Sequence, residues 1–142
     1  MLQDQLTMKG ALTISKNGTV VREIDNLVVT SGKNLVAANL AGGSTTVTHM
    51  GIGTGSTAAA AGDTTLGSES ARAALGTSGG TVSGAVVTFE ATFAAGTATG
   101  ALTEAGLFTA SSAGTMLART VFATINKGVN DSVTVSWSVT VS

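Results

Sequence analysis

Strict alternation of apolar and hydroxylic residues is the dominant pattern along this chain. It is clearest in the stretch Val133, Val135, Trp137, Val139 and Val141, with Ser132, Thr134, Ser136, Ser138 and Thr140 between them. A period of two places one set on each face of a half-buried strand. The same pattern opens the chain, where Leu6, Met8, Leu12 and Ile14 share one face and Thr7, Lys9, Thr13 and Ser15 the other. Lys16-Asn17-Gly18 follows as a hairpin turn, because Asn and Gly accept the positive φ that tight turns demand. A second strand is expected over Thr19 to Thr30. Further strands are expected over Val47 to Ile52, Ala71 to Leu75, Ala85 to Phe93, Ala101 to Thr109 and Thr115 to Asn126.

One segment has helical spacing. Ser31 is expected to cap it, Leu35, Val36 and Leu40 to form its apolar stripe, and Gly42-Gly43 to end it. Residues Gly53 to Gly67, rich in Gly, Ala, Ser and Thr, read as a long loop. Gly76 to Gly80, Ser111 to Gly114 and Lys127 to Asp131 read as turns. About eight strands, one short helix and no alternating βαβ pattern predict an all-β chain: an antiparallel β-sandwich, jelly-roll-like, spanning 1–142 as one domain.

Composition narrows the function. Charged residues make up 11% of the chain and the formal net charge is −1, so there is no basic stripe to hold a nucleic acid. Mean hydropathy is +0.40, yet no apolar run is long enough to span a bilayer. The opening Met1-Leu2-Gln3-Asp4-Gln5 lacks the basic and apolar regions of a signal peptide. There is no Cys, and therefore no disulfide or thiolate metal site. A surface with so little charge favours an assembled subunit. Pro is 0, which removes one device for blunting sheet edges and suggests edges covered by partners or left open to strand addition.

Candidate chemistry is sparse. His49 has neither a second His nor a Cys to join it in a metal site or triad, and reads as a polar strand residue. Gly53-Thr54-Gly55-Ser56-Thr57-Ala58 matches the dinucleotide-binding spacing formally, but no long helix opens there. Asp63, Glu69, Glu90 and Glu104 are the acids that a catalytic pair or calcium site would draw on. Tyr is absent and Trp occurs once, so aromatic substrate platforms are scarce. Asp63 is expected to make a local Asx turn. No enzymatic activity, cofactor or small-molecule substrate is expected.

Several segments, in order, resemble structural proteins of tailed bacteriophages. They are Met50-Gly51-Ile52-Gly53-Thr54-Gly55 running through Gly62-Asp63-Thr64-Thr65-Leu66-Gly67, a short strand holding Arg72, and Leu102-Thr103-Glu104-Ala105-Gly106-Leu107-Phe108. Met116-Leu117-Ala118-Arg119-Thr120-Val121-Phe122 and the terminal Trp137 strand complete the series. The compact chain is most similar to the capsid cement, or decoration, proteins; tail, baseplate and fibre proteins share parts of the pattern. The resemblance implies a jelly-roll-like virion protein made in the host bacterial cytoplasm. It would sit as a homodimer on the outer capsid surface and bridge neighbouring major capsid subunits, with neither nucleic acid nor membrane as a partner. Interface candidates are an extended arm of Met1, Leu2, Gln3, Asp4 and Gln5, together with Glu104 and Arg119, charged residues inside apolar strands. For Glu104 and Arg119 an intrachain ion pair that fixes strand register is the favoured alternative.

Overall fold

The computed structural model describes residues 6–76 and 79–142. The expected arm, Met1 to Gln5, and part of the expected Gly76–Gly80 turn lie outside the described residues. The elements are β1 (Met8–Lys16), β2 (Thr19–Asp25), β3 (Leu27–Val28), α1 (Thr30–Leu40), β4 (His49–Gly53) and β5 (Glu69–Ala74). They continue with β6 (Thr81–Ser83), β7 (Val86–Phe93), β8 (Gly100–Phe108), β9 (Met116–Lys127) and β10 (Val133–Val141). Two five-stranded antiparallel sheets face each other, one ordered β2-β1-β10-β7-β6 and the other β3-β9-β8-β4-β5. The expected all-β sandwich is the observed fold. The chain passes between the sheets at β2–β3, β5–β6, β7–β8 and β9–β10.

The alternating segments form the core as their pattern requires. Across the first sheet Leu12, Trp137 and Phe89 stand side by side, as do Ile14, Val135 and Ala91. All six are buried, and they pack on Met50, Ile52, Leu102 and Leu107 of the second sheet. Each aliphatic side chain removed from water in this way stabilises the fold by roughly 1.5–3 kcal/mol. Asn17 and Gly18 both take positive φ, 52° and 84°, so the β1–β2 turn is the tight hairpin their residue types call for.

Four expectations are corrected. The single strand over Thr19 to Thr30 is broken at Asn26, after which β3 joins the other sheet. With the three-residue β6, this raises the strand number from about eight to ten. Ser31 does not cap the helix: Val29 holds the cap position without a side-chain bond, and the Ser31 hydroxyl donates to the Met116 carbonyl at 2.7 Å. The stripe of α1 is also shallower than expected. Leu40 is 82% exposed, and Gly32 is the helix residue buried against β9, where a Cβ would stand 2.1 Å from the Leu117 carbonyl oxygen. Leu6, placed with the apolar face of β1, precedes that strand and is exposed.

Candidate functional site

The far side of the second sheet carries a third layer. Residues 54–68, read from sequence as a loop, lie across β4, β8 and β9 and bring Leu66 down beside Phe108, Met116 and Val29 in a small buried cluster. Glycines make the approach possible. A Cβ on Gly53 would meet the Ser68 carbonyl oxygen at 2.2 Å, and one on Gly55 would meet Glu104 Oε2 at 2.3 Å.

Glu104 is the anchor of this layer. Its side chain projects from β8 beneath the loop and is fully buried. Oε2 accepts the backbone N–H groups of Gly55 at 2.6 Å and Ser68 at 2.7 Å. Oε1 accepts the Gly67 N–H at 2.7 Å and two N–H groups of Arg119, from Nη2 at 3.0 Å and Nε at 3.2 Å. On β8 and β9 Glu104 faces Val121, and Gly106 faces Arg119. The ion pair is therefore a diagonal cross-strand contact, within easy reach of long side chains. Arg119 extends the network outward. Its Nη1 donates to Asp63 Oδ2 at 2.9 Å and its Nη2 to the Thr57 carbonyl at 3.0 Å. Asp63 in turn accepts the Ala60 N–H at 2.8 Å, and Thr103 donates to the Gly55 carbonyl at 2.7 Å.

Burial pushes the Glu104 carboxyl up, but hydrogen bonds from Ser68, Gly67, Arg119 and Gly55 together outweigh it and hold the group below its ordinary value. Backbone N–H groups that converge in this manner form a nest for an anion. Here the anion is the protein's own carboxylate. That is the physical content of the glycine-rich segment whose spacing imitates a dinucleotide site.

A second fastening lies at the edge of the layer. Arg72 on β5 stacks over the Phe108 ring, 3.7 Å from its centroid. It pairs with both oxygens of Glu69, at 2.7 and 2.8 Å. Its Nη1 also donates to the carbonyls of Ala110 and Ala113 at 3.0 and 2.8 Å, tying down the β8–β9 turn.

Of the residues singled out from sequence, the structure brings Glu104 and Arg119 together in an intrachain pair. Both are buried, so neither side chain is presented to a partner. Asp63 does not make the expected Asx turn: its carboxylate accepts the N–H of Ala60, three positions earlier, and pairs with Arg119. Glu69 is committed to Arg72, Glu90 is exposed on β7, and His49 Nδ1 lies 2.8 Å from the Thr48 hydroxyl. The sequence reading missed the backbone donors Gly55, Gly67 and Ser68 and the role of Arg72. The signal for the donors was the run of glycines flanking the loop, read only as flexibility. Among the described residues no group of three or more His, Asp or Glu converges as a metal site, and no helix is long and apolar enough to cross a membrane. Comparison with known proteins finds no matching family model, curated protein or solved structure.

Proposed function

We propose that this protein is a non-enzymatic structural subunit of a tailed-bacteriophage particle, bound to the outer capsid surface, where it cements neighbouring major capsid subunits. The observation that carries this reading is the stiffened third layer. Residues 54–68 are mostly exposed and, apart from Asp63, uncharged, yet they are fixed by a buried carboxylate and guanidinium. A loop held in one conformation before binding loses less entropy when it docks. Glu104 and Arg119 thus act as positioning residues, setting a contact surface they do not themselves touch. Three of the segments on which the phage resemblance rests, those holding Gly53 to Gly67, Glu104 and Arg119, meet in this network, which supports the reading.

Many copies on one lattice share the load, so each contact can be modest while the whole is strong. The partners on this reading are the major capsid protein and a second copy of the chain. Neither nucleic acid, membrane, cofactor nor small-molecule substrate takes part. The test is to mix the purified protein with empty and expanded heads of its phage, pellet them and count bound copies. Saturable binding in a fixed ratio to the major capsid protein is expected. Absence of binding to every head form would overturn the reading and favour a tail or baseplate component. A variant beginning at Leu6 should melt as the full chain does but bind heads more weakly, and equal binding would remove the arm from the account.

A further inference from the structure

We infer that the free edge of β5 is a strand-addition site, taken by an extended, uncharged segment of the partner protein. This rests on the capsid-binding reading and names the surface through which it operates. The two sides of the sandwich treat their edges differently. On one side β9 runs past the two-residue β3, and its unpaired carbonyls are covered by cationic side chains. Arg22 donates to Ala123 and Thr124 at 3.0 and 2.7 Å, and Lys16 to Asn126 at 3.2 Å. Such covering is a known means of closing an edge to other chains.

Among the described residues the β5 side has no such cover. Its ladder with β4 includes the Leu75 N–H bonded to the Thr48 carbonyl at 3.0 Å, with His49 facing Ala74 and Gly51 facing Arg72. In an antiparallel pair, hydrogen-bonded and non-hydrogen-bonded positions alternate. The backbone groups of Arg72 and Ala74 therefore point away from β4, and no described residue bonds them. The six residues of β5 include neither Pro nor Lys. Arg72, the one cation, is folded back onto Phe108 and the β8–β9 turn instead of guarding the edge.

A cleft of about 310 Å³ lies between the first four residues of β5, Glu69 to Arg72, and Ser111, Ser112 and Ala113 of the β8–β9 turn. Its two charged residues, Glu69 and Arg72, neutralise each other at 2.7 Å, so the cleft offers no net charge to a partner. The recognition chemistry is main-chain N–H and C=O pairing, with small side chains on the incoming segment.

The experiment is head pelleting with three full-length variants beside the unmodified chain. Ala74→Pro removes an outward N–H, and Ala74→Lys places a charge on the edge, while neither touches the bonds to β4. Val20→Lys makes the same kind of change on β2. Both edge variants should bind heads about tenfold or more weakly, and Val20→Lys should bind as the unmodified chain does. If the proline variant fails to fold, the lysine variant decides. Full binding by the folded edge variants would overturn the strand-addition site while leaving the cement reading intact. Failure of the unmodified chain to bind any head would overturn both. A dimer in free solution that Ala74→Lys abolishes would assign the edge to a second copy and overturn the proposed occupant.

Discussion

Glu104→Gln is the sharpest perturbation of the third layer, because it keeps the shape of the side chain and removes its charge. A glutamine has one oxygen where the carboxylate has two. With that oxygen at the Oε1 position, the N–H groups of Gly55 and Ser68, now 2.6 and 2.7 Å from an acceptor, face an NH₂ group instead. With it at the Oε2 position, Gly67 and both bonds from Arg119 are lost. Each stranded buried donor costs about 1–3 kcal/mol, and removing one partner of a buried ion pair costs about 3–5 kcal/mol. Arg119 retains Asp63 at 2.9 Å, which places the expected loss near the lower end, about 3 kcal/mol. For a chain of this size that is roughly a 10 °C fall in melting temperature. Urea unfolding followed by two probes gives the free energy, and an unchanged slope shows that the unfolded state was not altered. Limited proteolysis should cut within 54–68 well before the sandwich opens. A loss under about 1 kcal/mol, or a loop no easier to cut, would refute the claim that the carboxylate holds the layer. A double-mutant cycle with Arg119→Gln, scored on melting and on head binding, would show whether the pair acts as one unit.

Three further outcomes follow from the same geometry. A carboxyl whose pKa is lowered by folding adds stability that is fully present above its unfolded value, about 4.3 for Glu, and is lost as pH falls through the folded value. Asp131, held low by the Asn17 side chain and the Gly128 N–H, titrates in the same direction, so the Glu104 share is the part missing from the acid profile of Glu104→Gln in urea unfolding below pH 5. Gly55→Ala should destabilise by about 1–3 kcal/mol, since its Cβ has no room beside Glu104, whereas Gly62→Ala, with nothing within 4 Å, should melt unchanged; equal melting of the two would contradict the close approach. Arg72→Lys should cost about 1–2 kcal/mol, because an ammonium cannot reproduce the paired bonds to Glu69 and the stacking on Phe108, and faster amide exchange in the β8–β9 turn would report it.

The fold was legible wherever one face of a strand is buried and the other wet. The terminal strand carries its whole assignment in the alternation from Val133 to Val141, and β7 does so from Val87 to Phe93. The switch at Asn26 was not legible, because the hydrophobic pattern runs on through β2 and β3 while the chain changes sheets. Gly10 shares in this: a Cβ there would stand 1.8 Å from Asn26 Oδ1, a contact no local pattern reveals. The charge on Glu104 stood out as foreign to an apolar strand, and its pairing with Arg119 was open to inference. Its backbone donors were not, since they lie 49, 37 and 36 positions away, and glycine reads as freedom until one sees what occupies the missing side chain.

The pairing at the middle of the first sheet also governs how the protein comes into being. β10 lies between β1 and β7, and the ladder runs on until Thr7 and Ser142, 135 positions apart, exchange backbone bonds of 2.7 and 2.9 Å. That sheet cannot close before β10 has emerged from the ribosome, so β1 and β2 must wait as an unsupported hairpin while every element between them and β10 is made. Chains dominated by such distant pairings fold slowly and expose strand edges meanwhile. During that wait the chain's scarcity of charge, 11% of its residues, offers little defence against neighbouring copies of itself.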